Sequence, residues 1–393
     1  MAIGLVKGRS SVFLKEEVTE GVYVAPASAS DALEVLEDGL EFTYNRDEIE
    51  RNNLSATIEV EASRVGMKQI SGTIPVEYKA SNTAGSAPRG DLLFKSLLGG
   101  KRQLASVITT KTGNTATVLQ INDGDISFFN KGDSVLVKEA NSYELRPISA
   151  IDITPGSANI TLAFALDNGA PSDNVELEKH TTYYHSEGGP SYSATHYAGG
   201  EIEEAIAGLK SISATLENWS TAQLPSWSFA VEGLGLERSV ATPAYAPDFS
   251  NDALPPVLLN ACIWINGVKV SYSELSMSLE NTKSEINGPC SDSGKIGARF
   301  TQFACTGEIT AYTEDDDVDR FDAFNNNDDV SIFGYAFNPT AVAGQGKEYV
   351  AFWIPQAKVT SIPFGDVDGI ISDQISFKAY RKDGGDSVFL SFI

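Results

Sequence analysis

The 393-residue chain is short of cations: Lys and Arg number 29 against 53 Asp and Glu, a formal charge of −24. A groove that grips nucleic-acid phosphates needs a cation at most contacts, and a polybasic membrane surface needs clusters of them, so both classes are excluded. No run approaches the roughly 18 apolar residues of a membrane helix. The opening Met1-Ala-Ile-Gly-Leu-Val-Lys-Gly-Arg9 lacks the apolar stretch of a secretory signal. The expectation is synthesis in the cytoplasm and no membrane partner. Cysteine is scarce too: Cys262, Cys290 and Cys305 form no C-x-x-C pair. They are expected to be reduced thiols, not a disulfide framework or a zinc site.

Chemistry-bearing patterns are equally thin. His180, His185 and His196 are the only histidines, and their spacings match no helical ligand pair. With Tyr183, Tyr184 and Tyr197 around them, they read as surface or packing residues. There is no G-x-S-x-G elbow and no G-x-x-x-x-G-K-[ST] phosphate loop. Gly233-Leu-Gly235 lacks the third glycine of a dinucleotide loop. Asp366-Val-Asp-Gly-Ile-Ile-Ser-Asp373 is half of a calcium loop, and Asp368-Gly369 reads more simply as a hairpin turn. Asp315-Asp-Asp317 reads as helix capping. No nucleophile, base and oxyanion donors assemble, so the chain is expected to be a non-enzyme with no metal and no cofactor.

What is present is β-patterning. Gly39-Leu-Glu-Phe-Thr-Tyr44, Ile70-Ser-Gly-Thr-Ile-Pro-Val-Glu-Tyr78, Ser226-Trp-Ser-Phe-Ala-Val-Glu232, Val268-Lys-Val-Ser-Tyr272 and Gln374-Ile-Ser-Phe-Lys-Ala-Tyr380 alternate with period two. Pro75 inside such a run predicts an edge or a bulge. Helices are few and short. Asp91-Leu-Leu-Phe-Lys-Ser-Leu-Leu98 starts at a capping residue and stops at Gly99-Gly100, and 317–324 is the second.

The order of elements repeats. Strand 39–45, a polar loop, strand 70–79, helix 91–98 and strands near 208–216 and 226–234 are matched by strand 268–280, a loop, strand 301–313, helix 317–324 and strands near 348–362 and 373–381. Ser71-Gly-Thr-Ile74 matches Thr306-Gly-Glu-Ile309, Ser211-Ile212 matches Ser361-Ile362, and Ser228-Phe229 matches Ser376-Phe377. The predicted organisation is an arm over 1–38 and a first domain over 39–102 with 179–250. A small inserted β-barrel-like domain spans 103–178, and a second domain 251–393 follows the joint Asp252-Ala-Leu-Pro-Pro256.

Several stretches resemble the major tail tube proteins of long-tailed bacteriophages. They are Lys15-Glu-Glu-Val-Thr-Glu-Gly-Val-Tyr-Val-Ala-Pro26, Ala32-Leu-Glu-Val-Leu-Glu-Asp-Gly-Leu-Glu-Phe42, Ser71-Gly-Thr-Ile-Pro-Val-Glu-Tyr78, Ala87-Pro-Arg-Gly-Asp-Leu-Leu93, Leu279-Glu-Asn-Thr282, Phe352-Trp-Ile-Pro355 and Phe389-Leu-Ser-Phe-Ile393. The resemblance implies β-sandwich tube domains, each flanked by a short helix, six to a ring, with rings stacked around a β-barrel lumen. Two tandem tube domains in one chain then imply three chains per ring, and one such domain implies six. It implies a place in the virion tail and, as partners, copies of the chain itself, tail terminator, tail tip and tape measure proteins, and genome DNA in transit.

Under that reading the acidic balance serves a conduit whose wall repels DNA. Strand alternation nominates Glu41, Glu77, Glu232, Glu280 and Glu308, some facing the lumen and others the outside. The loop 46–69 is expected to be mobile before assembly and to bridge subunits or rings afterwards. Its charged residues include Arg46, Glu48, Arg51, Glu59, Glu61, Arg64 and Lys68. The loop at 281–298 is its counterpart. The competing readings are another virion β protein, such as a capsid decoration or fibre subunit, and a carbohydrate-active protein with paired acids.

Overall fold

The computed structural model describes residues 5–51, 62–139, 142–154, 157–249, 252–290, 294–313, 318–338 and 348–393. Among them the chain is mainly β, with two helices, α1 (Asp91–Leu98) and α2 (Val318–Asn326). Their strands form one 19-stranded and one 6-stranded sheet.

Nine strands matter most: β1 (Glu41–Ile49), β2 (Arg64–Glu77), β3 (Ile202–Ser220), β4 (Ser226–Gly233), β5 (Tyr272–Asn287), β6 (Lys295–Tyr312), β7 (Glu348–Ser361), β8 (Phe364–Val367) and β9 (Ile370–Ala379). In space they run β1-β2-β4-β3-β5-β6-β9-β7, every neighbour antiparallel. Strand β8 continues the line of β7 along β9. The order β1-β2-β4-β3 therefore recurs as β5-β6-β9-β7, and β3–β5 is the seam between the two sets. Each set carries its helix on the same strand, α1 against β3 and α2 against β7.

Register recurs as well. Phe42 lies opposite Gly72 as Met277 lies opposite Gly307. Glu48 lies opposite Val65 as Lys283 lies opposite Phe300, in each case just past a bulge. A second bulge, between Ser211 and Ser213, is matched between Val359 and Ser361. The ladders correct two of the matches made from sequence by two residues. Ser213, not Ser211, is the counterpart of Ser361, and Phe229, opposite Ile74, corresponds to Ile375, opposite Ile309. A slip of two keeps every side chain on its own face, so alternation alone does not detect it.

The core lies under one face of this sheet. Trp219, Trp227, Phe229, Tyr78 and Phe94 are buried there, with Phe94 edge-on to Trp227 and Phe229 at 6.1 and 5.1 Å. Helix α1 forms because Leu93, Phe94, Leu97 and Leu98 share the buried stripe. Gly90, not Asp91, occupies its N-cap; Asp91 sits in the first turn and accepts the Tyr183 hydroxyl at 2.6 Å. Gly99 ends the helix at φ +83, where a Cβ would lie 2.1 Å from the Ser186 carbonyl.

Three expectations change. Residues 11–16, read as part of an aperiodic arm, form a strand paired with 192–197, with Val12, Phe13 and Leu14 buried. Residues 268–272 are not one strand: 268–270 pairs with 263–265, and β5 starts at Tyr272. Both polar loops begin and end in hairpin ladder among the described residues, reaching Ile49–Arg64 in the first and Asn287–Lys295 in the second. Pro75 does sit at a local edge, where β1 has ended and its carbonyl accepts Leu36 N–H at 3.0 Å. The caps proposed at Asp315–Asp317 lie outside the described residues.

The 6-stranded sheet spans residues 108–177 around its own core of Leu119, Ile121, Val135, Ile148 and Ile160. Lys111, two residues past the end strand 108–109, donates its N–H to Gln120 O at 2.7 Å on the other end strand, 118–121, so the two ends of the sheet approach each other. Arg146 leaves this unit fully buried, over the rings of Phe164 and Trp264 at 4.9 and 5.3 Å and paired with Asp167 at 2.8 Å.

Candidate functional site

The face of the eight-strand sheet opposite the core is polar, and its rows follow from the ladders. One row runs Glu41, Thr73, Ala230, Ser213, Glu280. Another runs Ser276, Glu308, Ser376, Ser361. Glu77 lies opposite Ser226, and Glu232 opposite Ser71. All five nominated acids thus share one face and are not divided between two. They differ in company. Glu77 pairs with Lys79 at 3.0 Å, and Glu232 pairs with Lys283. Among the described residues no cation reaches Glu41, Glu280 or Glu308, so these three keep an uncompensated charge. Of the lysines on this face, Lys210 is held by Glu20 at 2.9 Å and Lys358 by Asp329 at 2.6 Å. Lys378, opposite Lys358, is exposed and has no acid partner among the described residues.

The first hairpin carries the other candidates. Arg46 stands opposite Lys68, and Arg64 opposite Ile49. Glu48 is exposed and accepts the Ser63 hydroxyl at 3.3 Å. Arg51 is exposed just past β1, and Glu59 and Glu61 lie outside the described residues. Sequence reasoning missed the tether at this hairpin's base. Tyr44 on β1 donates to Glu204 at 3.0 Å, and Glu204 also binds His196 at 2.8 Å and Arg238. Burial raises the Glu204 carboxyl, but the hydrogen bonds from His196, Arg238 and Tyr44 outweigh it and bring it down to about 2. No periodicity signals such a cluster, because strand pairing sets His196 and Arg238 on either side of Glu204 and Tyr44 comes from a distant strand.

Two stretches at the ends of the sheet are bare among the described residues, whereas the outer side of β7 is paired with residues 330–338 up to Ala357. Strand β1 pairs there only with β2, and β8 only with β9. The side chains at these ends are unusually open. Leu216 on β3 is fully buried at the seam, opposite Met277. Its counterpart Phe364 on β8 is 78% exposed, and Ile370 and Ile371 beside it are exposed too. Phe42 and Tyr44, the counterparts of Met277 and Leu279, are only half-buried. An edge with unpaired backbone groups and apolar side chains invites another strand.

The histidines are scattered: His180 is buried beside Asp133, His185 stacks on Phe303 at 4.4 Å, and His196 serves the Glu204 cluster. Asp366–Asp373 is a hairpin, with Asp368 and Gly369 at φ +52 and +83 as a tight turn requires. The three cysteines are free, and burial pushes the Cys305 thiol up to about 12.

The profile of a family described as phage tail tube protein matches residues 8–379. No curated protein matches the chain. The chain belongs to the phage tail tube protein family and is a structural, non-enzymatic protein of the virion tail.

Proposed function

We propose that this tail tube chain, made in the host cytoplasm, polymerises into stacked rings of three chains whose eight-strand sheets close into one barrel, the conduit for genome DNA. In this reading β1-β2-β4-β3 and β5-β6-β9-β7 are the inner sheets of two tandem β-sandwich tube domains, 39–102 with 179–250 and 251–393. The unit at 103–178 is an inserted barrel-like domain on the outside, and 1–38 is an arm. The tube is capped and filled by tail terminator, tail tip and tape measure proteins.

The stagger of the sheet is the observation that carries this reading. The row that starts at Glu41 reaches β5 at Glu280, whereas the counterpart of Glu41 is Ser276. Each set of four strands is therefore displaced by four residues, 280 − 276, from the next. At about 3.3 Å per residue and about 4.8 Å per strand this is a tilt of roughly 35°, within the range of closed barrels. Six sets, about 24 strands, give a backbone diameter of roughly 45 Å, wide enough for a duplex in water. The polar face becomes the wall. Glu41, Glu280 and Glu308 repel phosphates within a Debye length of about 8 Å, and the serine and threonine rows between them offer no charge to hold DNA.

Cryo-electron microscopy of the purified chain is the test. The expected result is a hollow polymer with three chains per ring and the Glu41–Glu280 row on its inner wall. Isolated monomers under every assembly condition, or this face turned outward, would overturn the reading. In virions carrying Glu41→Lys, Glu280→Lys and Glu308→Lys together, DNA ejection is expected to slow, and the slowing to lessen at high salt.

A further inference from the structure

The seam between the two halves can be compared with the contact that must join one chain to the next. In the first, β3 runs beside β5 with Ser213 opposite Glu280, Ala214 opposite Leu279, Thr215 opposite Ser278 and Leu216 opposite Met277. Counterparts on the free edges follow from the repeated register: Ser361, Ile362, Pro363 and Phe364 on one side, Asn45, Tyr44, Thr43 and Phe42 on the other. Apolar residues fall opposite apolar ones, so Phe364 gains the cover that Leu216 already has.

Charge singles out one pair. Beside the internal seam, Glu232 on β4 reaches Lys283 on β5. The counterpart of Glu232 is Lys378, since Glu232 lies opposite Ser71 as Lys378 lies opposite Thr306. The counterpart of Lys283 is Glu48, both following the same bulge. Acid and base have changed places together. Each member also lacks an opposite charge among the described residues of the single chain. Lys378 faces Lys358, a like charge that disfavours the pair, while Lys358 is already bound to Asp329 and Asn327. Glu48 accepts the Ser63 hydroxyl and faces Val65.

We infer that the joint between chains is a charge-reversed copy of the joint between halves, closed by an ion pair from Lys378 of one chain to Glu48 of the next copy. The occupant of the bare edge is thus a second copy of this chain, added in the register that sets Ser361 against Asn45. The inference rests on the ring reading above and adds to it the register and the ion pair that selects it. A neighbour shifted by two residues would keep its apolar face inward but would lose the lysine–glutamate match, so the pair fixes which register is used.

The test is a charge swap, scored by the fraction of chain that sediments as tube. Lys378→Glu and Glu48→Lys should each lower it about tenfold at matched concentration, because like charges meet at the joint. The double variant should recover most of the loss, and all three monomers should melt like the parent, since both side chains are exposed. Singles that assemble normally, or a double that stays defective while the parent makes tubes, would overturn the pairing and leave the ring standing. A parent that makes no rings would overturn both. A cysteine pair at Asn45 and Ser361, in a chain with Cys262, Cys290 and Cys305 replaced by serine, should cross-link between chains into a ladder ending at three. Tubes that yield no inter-chain band would overturn the register.

Discussion

Leu216 and Phe364 hold the same place in two nearly identical sheets, yet one is sealed and the other 78% exposed. The sets they belong to share strand order, bulges and helix position, so local conformation does not explain the contrast. What differs is the neighbour: β3 has β5 beside it, and β8 has no such strand among the described residues. The internal seam shows what the open edge is shaped for. A chain that lives alone would be expected to blunt this edge with charge or proline, and here Pro363 and Asp366 do so only in part. Phe364, Ile370 and Ile371 instead leave it adhesive.

Matched truncations are the strongest way to break that comparison. Leu216→Ala should cost the monomer about 2–5 kcal/mol, the range for a buried leucine left as a cavity, read by chemical denaturation. Phe364→Ala should leave monomer stability within about 0.5 kcal/mol, as exposed sites do, and should abolish or greatly reduce polymer. Equal losses in the two monomers would mean that Phe364 is buried within the single chain and that the edge is not free.

Acid should separate the halves next. Tyr44 ties the otherwise one-sided strand β1 to Glu204, whose carboxyl is held at about 2, below its ordinary value of 4.5. A depressed carboxylate gives stability that is fully present above about 4.5 and is lost as pH falls towards about 2. The base of the first hairpin should therefore loosen in that window, seen as faster amide exchange at 41–46. The corresponding strand β5, bonded on both sides, should hold. Glu204→Gln should remove the pH dependence and lower stability throughout. Hairpins that loosen together, or a pH profile unchanged by Glu204→Gln, would show that the cluster does not anchor β1.

How much of this was legible in the sequence depended on burial. Helix α1 was readable because Leu93, Phe94, Leu97 and Leu98 declare one face and Gly99 a stop. The core strands were readable because one face is buried and the other wet. The hairpin arms look like loops in the sequence for the converse reason. Arg46, Asp47 and Glu48, or Lys283, Ser284 and Glu285, are polar on both faces, so no alternation marks them, and their ladders come from extending a register set at the base. Val12-Phe13-Leu14 hid its strand by being apolar on successive residues, packed on both faces over too short a run to declare a period. The five acids were found by alternation. Which of them are neutralised was not legible, because Lys283 and Lys79 reach them through pairing and chain direction that no periodicity encodes. The open edge was invisible for a deeper reason: a missing neighbour leaves no mark on the strand that lacks it.

The smallest expected effect concerns two cations. Arg46 and Lys68 stand directly opposite each other on exposed strands of a chain with a charge of −24, an arrangement that disfavours the hairpin. The matching positions in the second hairpin, Asn281 and Phe303, carry no charge, and Asn281 donates to the Leu97 carbonyl at the end of α1 at 2.7 Å. That bond crosses the internal seam. By the same register Arg46 should meet the last turn of α2 in the chain that supplies Lys378, where the helix dipole is negative and favours a cation. Lys68→Glu probes the hairpin both free and assembled. In the monomer it should stabilise the first hairpin by about 0.2–1 kcal/mol, as an opposite charge placed across strands does. The gain should vanish in high salt, where exposed pairs are screened. In the polymer it should give no gain, because the introduced carboxylate would compete for Arg46 with the neighbouring helix. A stabilisation that persists into the tube would mean that Arg46 has no partner there and that the resemblance between the two seams ends at the strands.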